Sequence, residues 1–284
     1  MTATRIDGNE VAATILAEVA EGVRSRVAAG LPRPHLAAVL VGDDPASETY
    51  VRLKRRDAER VGMTSSDYRL PATASTAAVV DLVESLNRDQ DTSGVLVQTP
   101  FPEGVDSAAA LSAVDPVKDV DGLHPVNAGR LLLGEPGMLP STPAGVVRML
   151  DHYAIEIAGL RAVVLGRSNI VGKPTAVLLL RRNATVTICH SKTVGLAEIC
   201  READILVAAI RQLDFVKPGM VRPGAVVIDV GINTRPGGRL GGDVDPSVAG
   251  VAGWLTPVPG GVGPVTRAML MANTWQAEQA RRPG

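Results

Sequence analysis

The sequence predicts an α/β protein with two parallel-sheet halves, on three observations. Short apolar runs that stop at Gly or Pro alternate with longer stretches whose apolar residues recur at helical spacing. This strand–helix rhythm occurs twice, before residue 100 and again after residue 160. A segment rich in Pro, Gly and Asp, residues 115–145, lies between the two runs. A chain of 284 residues suits two domains or one large α/β domain, and an apolar content of 45% is ample for buried cores.

Taken in order, residues 9–29 read as an amphipathic helix, and "HLAAVLVG", 35–42, as a buried strand ending in Gly. "DDPASETYVRLKRRDAERVG" gives a turn and a helix, capped by Asp44 or Ser47 and closed at Gly62. "SDYRLP" is a short strand, "STAAVVDLVESLNRD" an apolar-periodic helix, and "SGVLVQTP" a buried strand that stops at Pro100. This order implies a parallel sheet with helices on its faces. Residues 115–145 read as loops and a possible domain boundary, after which Pro143 fits the first turn of a helix capped by Thr142. "LRAVVLGRSNIVGKPTAVLLLRRN" is then strand, Gly turn and helix. "ATVTICHS" is a strand, "LAEICREA" a short helix, and "DILVAAI" and "GAVVIDVG" are further strands. The second half therefore reads as a doubly wound nucleotide-binding domain. The tail is a Gly/Pro loop followed by a helix opening at Pro264.

Composition narrows the function. The chain carries 29 basic and 30 acidic residues, without the basic surplus of a nucleic-acid binder, and only 2% aromatics for stacking on bases. Cys189 and Cys200 are too few for a disulfide framework and read as core residues, which fits a reducing compartment. The N-terminal stretch has Glu10, Glu18 and Glu21 among its apolar residues, unlike a signal peptide, and no run approaches a membrane span. A soluble cytoplasmic protein without membrane or nucleic-acid partners is expected. His35, His124 and His152 are scattered without metal-ligand spacing, so no metal is expected.

"VVLGRSNIVGKP" places Gly166, Ser168 and Gly172 between a strand and a helix, a stretched version of the dinucleotide fingerprint. A helix N-terminus offers free N–H groups to phosphate there. At the end of the next strand, NAD enzymes commonly carry an acid for the ribose hydroxyls; here the residues are His190, Ser191, Lys192 and Thr193. A hydroxyl and a cation in place of the acid, with Arg167 in the first turn, suit the 2′-phosphate of NADP. In the first half, Tyr50 and Lys54 are four residues apart and share a helix face, as a phenol and an amine arranged for proton chemistry would. A solvated polar face is the other reading of that spacing.

The blocks "SETYVRLK", "GVLVQTPFP", "DPVKDVDGLHPVNAGRL", "PSTPAG", "GRSNIVGKP", "ATVTICHSKT", "VVIDVGIN" and "TPVPGGVGPVT" occur in this order over nearly the whole chain. Together they resemble the bifunctional methylenetetrahydrofolate dehydrogenase/cyclohydrolase family, the FolD-type enzymes. The resemblance implies two α/β domains around a cleft, the second a Rossmann-like NADP-binding domain. Residues 1–140 with 264–284 would bind folate and 141–263 would bind NADP, in a homodimer joined through the nucleotide domain. It implies oxidation of 5,10-methylenetetrahydrofolate to 5,10-methenyltetrahydrofolate with NADP, then hydrolysis to 10-formyltetrahydrofolate. Lys54 and Tyr50 match the family's catalytic pair, Gln98 the glutamine bonded to the lysine, and Asp121 the aspartate on the pterin ring. Gly166, Arg167, Ser168, Ile170, Gly172, His190, Ser191, Lys192, Thr193, Ile232, Gly261 and Gly263 match the cofactor site. Three positions depart from the family pattern: Thr99 and Phe101 in "QTPFP", Ser141 in "PSTP", and Arg211 where a Gly usually follows "VAAI".

The implied hydrolysis needs an amine that is uncharged near neutral pH, and a cationic substrate together with partial burial would lower Lys54 into that range. Two other readings stay open on the residues. A shikimate-dehydrogenase-like NADP enzyme would share the architecture without needing Tyr50, Lys54 and Gln98 together, and a non-catalytic module would bind NADP without turnover.

Overall fold

A computed structural model describes residues 2–281 and divides them into two compact units. One comprises residues 13–141 and 267–281, the other residues 2–12 and 142–266. In chain order the first elements are β1 (Thr4–Arg5), α1 (Gly8–Ala28), β2 (His35–Val41), α2 (Pro45–Arg60) and β3 (Thr64–Leu70). There follow α3 (Thr76–Arg88), β4 (Gly94–Val97), α4 (Ser107–Ser112), α5 (Pro125–Leu133) and α6 (Ser141–His152). Next come β5 (Arg161–Leu165), α7 (Gly172–Arg181), β6 (Thr185–Cys189), α8 (Leu196–Arg201), β7 (Ile205–Ala208) and β8 (Val226–Asp229). The chain closes with β9 (Asn233–Thr234), β10 (Leu240–Gly241), β11 (Trp254–Leu255) and α9 (Val262–Arg281). Among the described residues, no helix is long and apolar enough to cross a membrane.

The unit containing residues 13–141 is built on a parallel three-stranded sheet in the order β3-β2-β4. β2 and β4 are short apolar runs, so both their faces need covering; Ala37, Val39, Val95 and Val97 pack with Val83 and Leu86 of α3. Phe101 also packs against this core and against Val41, Val79 and Val105, so it acts as a wedge under the strand ends. A buried ion pair joins Arg26 of α1 to Glu278 of α9 at 2.5 Å, and Glu278 also accepts from the Ser93 hydroxyl at 2.7 Å.

The other unit holds a six-stranded parallel sheet in the order β1-β11-β8-β7-β5-β6. From β5 the chain steps out to β6, then returns past β5 to β7, which makes a topological switch point between β5 and β7. Val163, Leu165, Leu206, Ala208 and Val227 form its core with Cys189 and Cys200, both free and buried. Each large aliphatic side chain removed from water here contributes about 1.5–3 kcal/mol.

Four readings of the sequence need correcting. Residues 2–12, placed with the first domain, belong with the second unit, because β1 pairs with β11. Within 115–145, read as loops, residues 125–133 are helical: Pro125 and Gly134 bound the helix and do not interrupt it. The His124 ring caps it by accepting from the Val126 N–H at 3.0 Å. Thr142 is no cap, since α6 already begins at Ser141 and the Thr142 hydroxyl bonds that of Thr266 at 3.0 Å. Finally, α9 opens two residues before Pro264, at Val262, with the proline inside its first turn.

Candidate active site

Asp44 caps α2 by accepting from the Ser47 N–H at 2.8 Å. The helix then lines up Ser47, Tyr50 and Lys54 on one stripe. Ser47 is buried and its hydroxyl has no hydrogen-bond partner among the described residues. Tyr50 is 38% exposed. The Lys54 ammonium or amine donates to Gln98 Oε1 at 3.0 Å. Gln98 follows β4, where its N–H extends the ladder to Val39 at 2.9 Å. Its own Nε2 donates to the Thr99 carbonyl at 2.6 Å, which fixes the amide with its oxygen toward the lysine.

Burial is the main cause that holds Lys54 below the usual lysine range; Asp121 opposes this and Arg267 adds to it. Burial likewise raises the Asp121 carboxyl, opposed by Lys54 and reinforced by Asp119. Both groups are thus biased toward their uncharged forms, because an enclosed site disfavours either charge more than the pair's attraction repays. Arg267 reaches this site from α9 and is held by Asp57, Nε to Oδ2, at 2.7 Å.

The segment carrying Asp121 is anchored on both sides. Lys118 is 2% exposed, and its Nζ donates to the carbonyls of Leu86, Asn87 and Asp89 at 2.9, 2.8 and 2.6 Å. These carbonyls end α3, so a buried ammonium caps that helix. Asp119 accepts from the N–H groups of Leu123 and His124 at 3.2 and 2.8 Å and from Asn127 Nδ2 at 2.8 Å. Asn273 of α9 donates to the Val120 carbonyl at 2.8 Å.

The expected cofactor residues all lie in the other unit, in the loops after β5, β6, β8 and β11 or at the starts of α7 and α9 that follow two of them. The loop after β5 depends on two glycines. Gly166 has φ +124, and a Cβ there would sit 2.3 Å from the Ala209 carbonyl oxygen; a Cβ on Gly172 would sit 2.2 Å from that of Gly166. The Ser168 hydroxyl accepts from the Val171 and Gly172 N–H groups at 3.1 and 3.3 Å and closes the loop onto the start of α7. Arg167 and Ile170 are exposed on it. After β6, the Thr193 hydroxyl accepts from the His190 N–H at 2.9 Å, and the His190 ring accepts from the Lys192 N–H at 3.2 Å. Ser191 and Lys192 are left exposed at the tip of this turn. Ile232 is 45% exposed just after β8. Gly261 is buried before α9, and Gly263 lies in the first turn of that helix. Arg211 has φ +55, a left-handed conformation that favours Gly.

Several residues of these sites were not singled out in the sequence. Arg267 and Asp57 pair across 210 residues, so no local spacing marks them, and Asp119 is used through local backbone bonds that no motif signals. Lys118 stands beside Asp121 in "KDVDG", and only the bonds to α3 reveal its use.

Comparison with known proteins converges on one family. The model of the tetrahydrofolate dehydrogenase/cyclohydrolase catalytic domain matches residues 6–121, and that of the same family's NAD(P)-binding domain matches residues 140–282. Bifunctional protein FolD of Ruminiclostridium cellulolyticum is 49% identical over 278 residues, covering 98% of each chain. The crystal structure of the bifunctional FolD enzyme of Campylobacter jejuni superposes with a TM-score of 0.96 at 41% identity, over 98% of this chain and 99% of that one. The Trypanosoma brucei FolD structure, complexed with NADP cofactor and inhibitor, gives 0.93 at 40% identity over 99% of each chain. With both domain models matched and such relatives aligned end to end, the chain belongs to the tetrahydrofolate dehydrogenase/cyclohydrolase family.

Proposed function

We propose that this chain oxidises 5,10-methylenetetrahydrofolate with NADP and hydrolyses the 5,10-methenyl product to 10-formyltetrahydrofolate, as a cytoplasmic homodimer. The observation that carries this reading is the enclosed Lys54 amine, held on Gln98 Oε1 at 3.0 Å and biased by burial toward its neutral form.

The residues present fit NADP. The turn after β6 offers an exposed hydroxyl and ammonium with no carboxylate among residues 190–193, which suits a 2′-phosphate. The chemistry supplied when NADP is bound is acceptance of a hydride. Loss of that hydride from the methylene carbon needs no protein base, because the flanking folate nitrogens delocalise the cation. The protein's task is to hold the donor carbon in place. Asp121 serves this by accepting from the amino and ring N–H groups of the pterin, donors that favour its carboxylate form. Ser47, with its unpartnered hydroxyl, and Tyr50 face the same ligand from α2.

In hydrolysis, water adds to the cationic methenyl carbon. The neutral Lys54 amine takes the proton from the added oxygen, and the ring C–N bond opens as its nitrogen is protonated, leaving the formyl group on the other nitrogen. Gln98 accepts one N–H of the amine and so aims its lone pair without adding charge.

The homodimer reading draws on the resemblance and on β6, an edge strand with Ile188 41% exposed and Val194 91% exposed just beyond it. Two buried free thiols fit a reducing cytoplasm. A spectrophotometric assay of the purified protein with both folates and with NADP and NAD tests the activity. Turnover of methylenetetrahydrofolate with NADP and of methenyltetrahydrofolate with water is expected; absence of both overturns the reading.

A further inference from the structure

Two carboxylates, Asp229 and Asp243, lie 4% and 0% exposed at the carboxyl edge of the six-stranded sheet. Asp243 Oδ2 accepts from the Ile210 and Arg211 N–H groups at 2.7 and 3.1 Å, and its Oδ1 from the Gln212 N–H at 2.8 Å. Three consecutive N–H groups converge on one carboxylate because Arg211 is left-handed, which turns the backbone into an anion-binding nest. Oδ1 also accepts from Nδ2 of Asn233, the first residue of β9 just beyond the loop after β8, at 2.9 Å. Asp229 in turn accepts from the Gly231, Asp243 and Val244 N–H groups at 3.0, 2.9 and 3.0 Å and so fixes Asp243 itself. Gly231 leaves room for this: a Cβ there would lie 2.2 Å from Asp243 Oδ1.

The loops tied in this way follow β7 and β8. The loop after β7 begins at Ala209, whose carbonyl abuts Gly166 of the glycine turn, so it borders the switch point between β5 and β7. In doubly wound sheets that edge is where a dinucleotide binds. We propose that Asp243 is a positioning residue for the dinucleotide: its carboxylate gathers residues 210–212 and Asn233 and holds the loops after β7 and β8 in the shape that receives the nicotinamide half. The proposal rests on the NADP reading given above. It assigns to Asp243 no contact with the cofactor.

The test is Asp243→Asn, which keeps the shape but turns an NH2 toward groups that all donate. The expected result is a rise of about tenfold or more in the NADP KM of the dehydrogenase, with kcat also reduced. Methenyl hydrolysis, which needs no dinucleotide, stays within about twofold of the starting protein, because its residues lie elsewhere. Gly231→Ala provides an independent route: it retains the acid, displaces it, and is expected to raise the same KM. It also carries the test if Asp243→Asn does not fold. Unchanged NADP kinetics in either folded variant, or an equal fall of both activities, overturns the proposal. A starting protein without NADP-dependent turnover overturns the NADP reading together with it, whereas an active one with indifferent variants overturns the positioning role alone.

Discussion

Lys54 shows how a single residue trades stability for chemistry. Its amine is biased to the neutral form by burial, so below its folded-state pKa the folded chain carries the cost of an enclosed ammonium. The unfolded chain binds that proton more readily over the window between the lowered folded value and 10.5, so stability rises with pH through that window. Lys54→Gln is therefore expected to raise the melting temperature at pH 7 by a few degrees, a gain that shrinks as pH approaches the ordinary lysine range. The same variant is expected to lose methenyl hydrolysis by roughly a hundredfold or more while keeping folate affinity within several-fold. Thermal melts at several pH values and a single-substrate assay check both; unchanged hydrolysis removes Lys54 from the mechanism. In the unmodified enzyme, hydrolysis should rise with pH through the lowered Lys54 pKa, since the neutral amine is the active form. The Tyr50–Lys54 spacing was legible because both residues lie on one helix. Arg267 was not, since it reaches the lysine from the far end of the chain.

Among the elements, the strands were the most readable, because β2, β4, β5, β7 and β8 are apolar on both faces and all but β7 stop at polar or Gly positions. α5 was missed because its Pro, Gly and His residues look like loop punctuation when their positions at the helix ends are not known. β1 and β11 were missed because two-residue strands carry no periodicity. The turn after β6 is small enough to test as a piece. Replacing Ser191 and Lys192 with Asp and Ala is expected to lower the preference for NADP over NAD by about tenfold or more, as the phosphate loses a charge-assisted bond and meets a carboxylate. Steady-state kinetics with each cofactor measures this, and an unmoved ratio refutes the phosphate assignment. At the end of α3, Lys118→Met would leave three carbonyls unpaired in the interior. A loss of roughly 3 kcal/mol in urea unfolding is expected, and a loss near zero would mean that water replaces the ammonium there.

For the whole molecule, the six-stranded sheet has β1 at one edge and β6 at the other. If the homodimer forms through the nucleotide-binding unit, Ile188→Glu on β6 is expected to shift sedimentation from dimer to monomer, while Leu132→Glu, exposed on the other unit, leaves it unchanged. A monomeric starting protein, or a dimer indifferent to Ile188→Glu, rejects this edge as the interface. The βα order and fold class were legible from rhythm alone. The true division into units was not, because it depends on pairings between the two ends of the chain: β1 with β11, and Arg26 and Ser93 with Glu278. That arrangement bears on how the protein is made. β1 leaves the ribosome some 250 residues before its partner β11. The three-stranded sheet can therefore pair once β4 has emerged, whereas the six-stranded sheet waits, unfinished, for β11. Loss of α9 from Arg267 onward would consequently take Arg267, Asn273 and Glu278 together from the unit built on the three-stranded sheet.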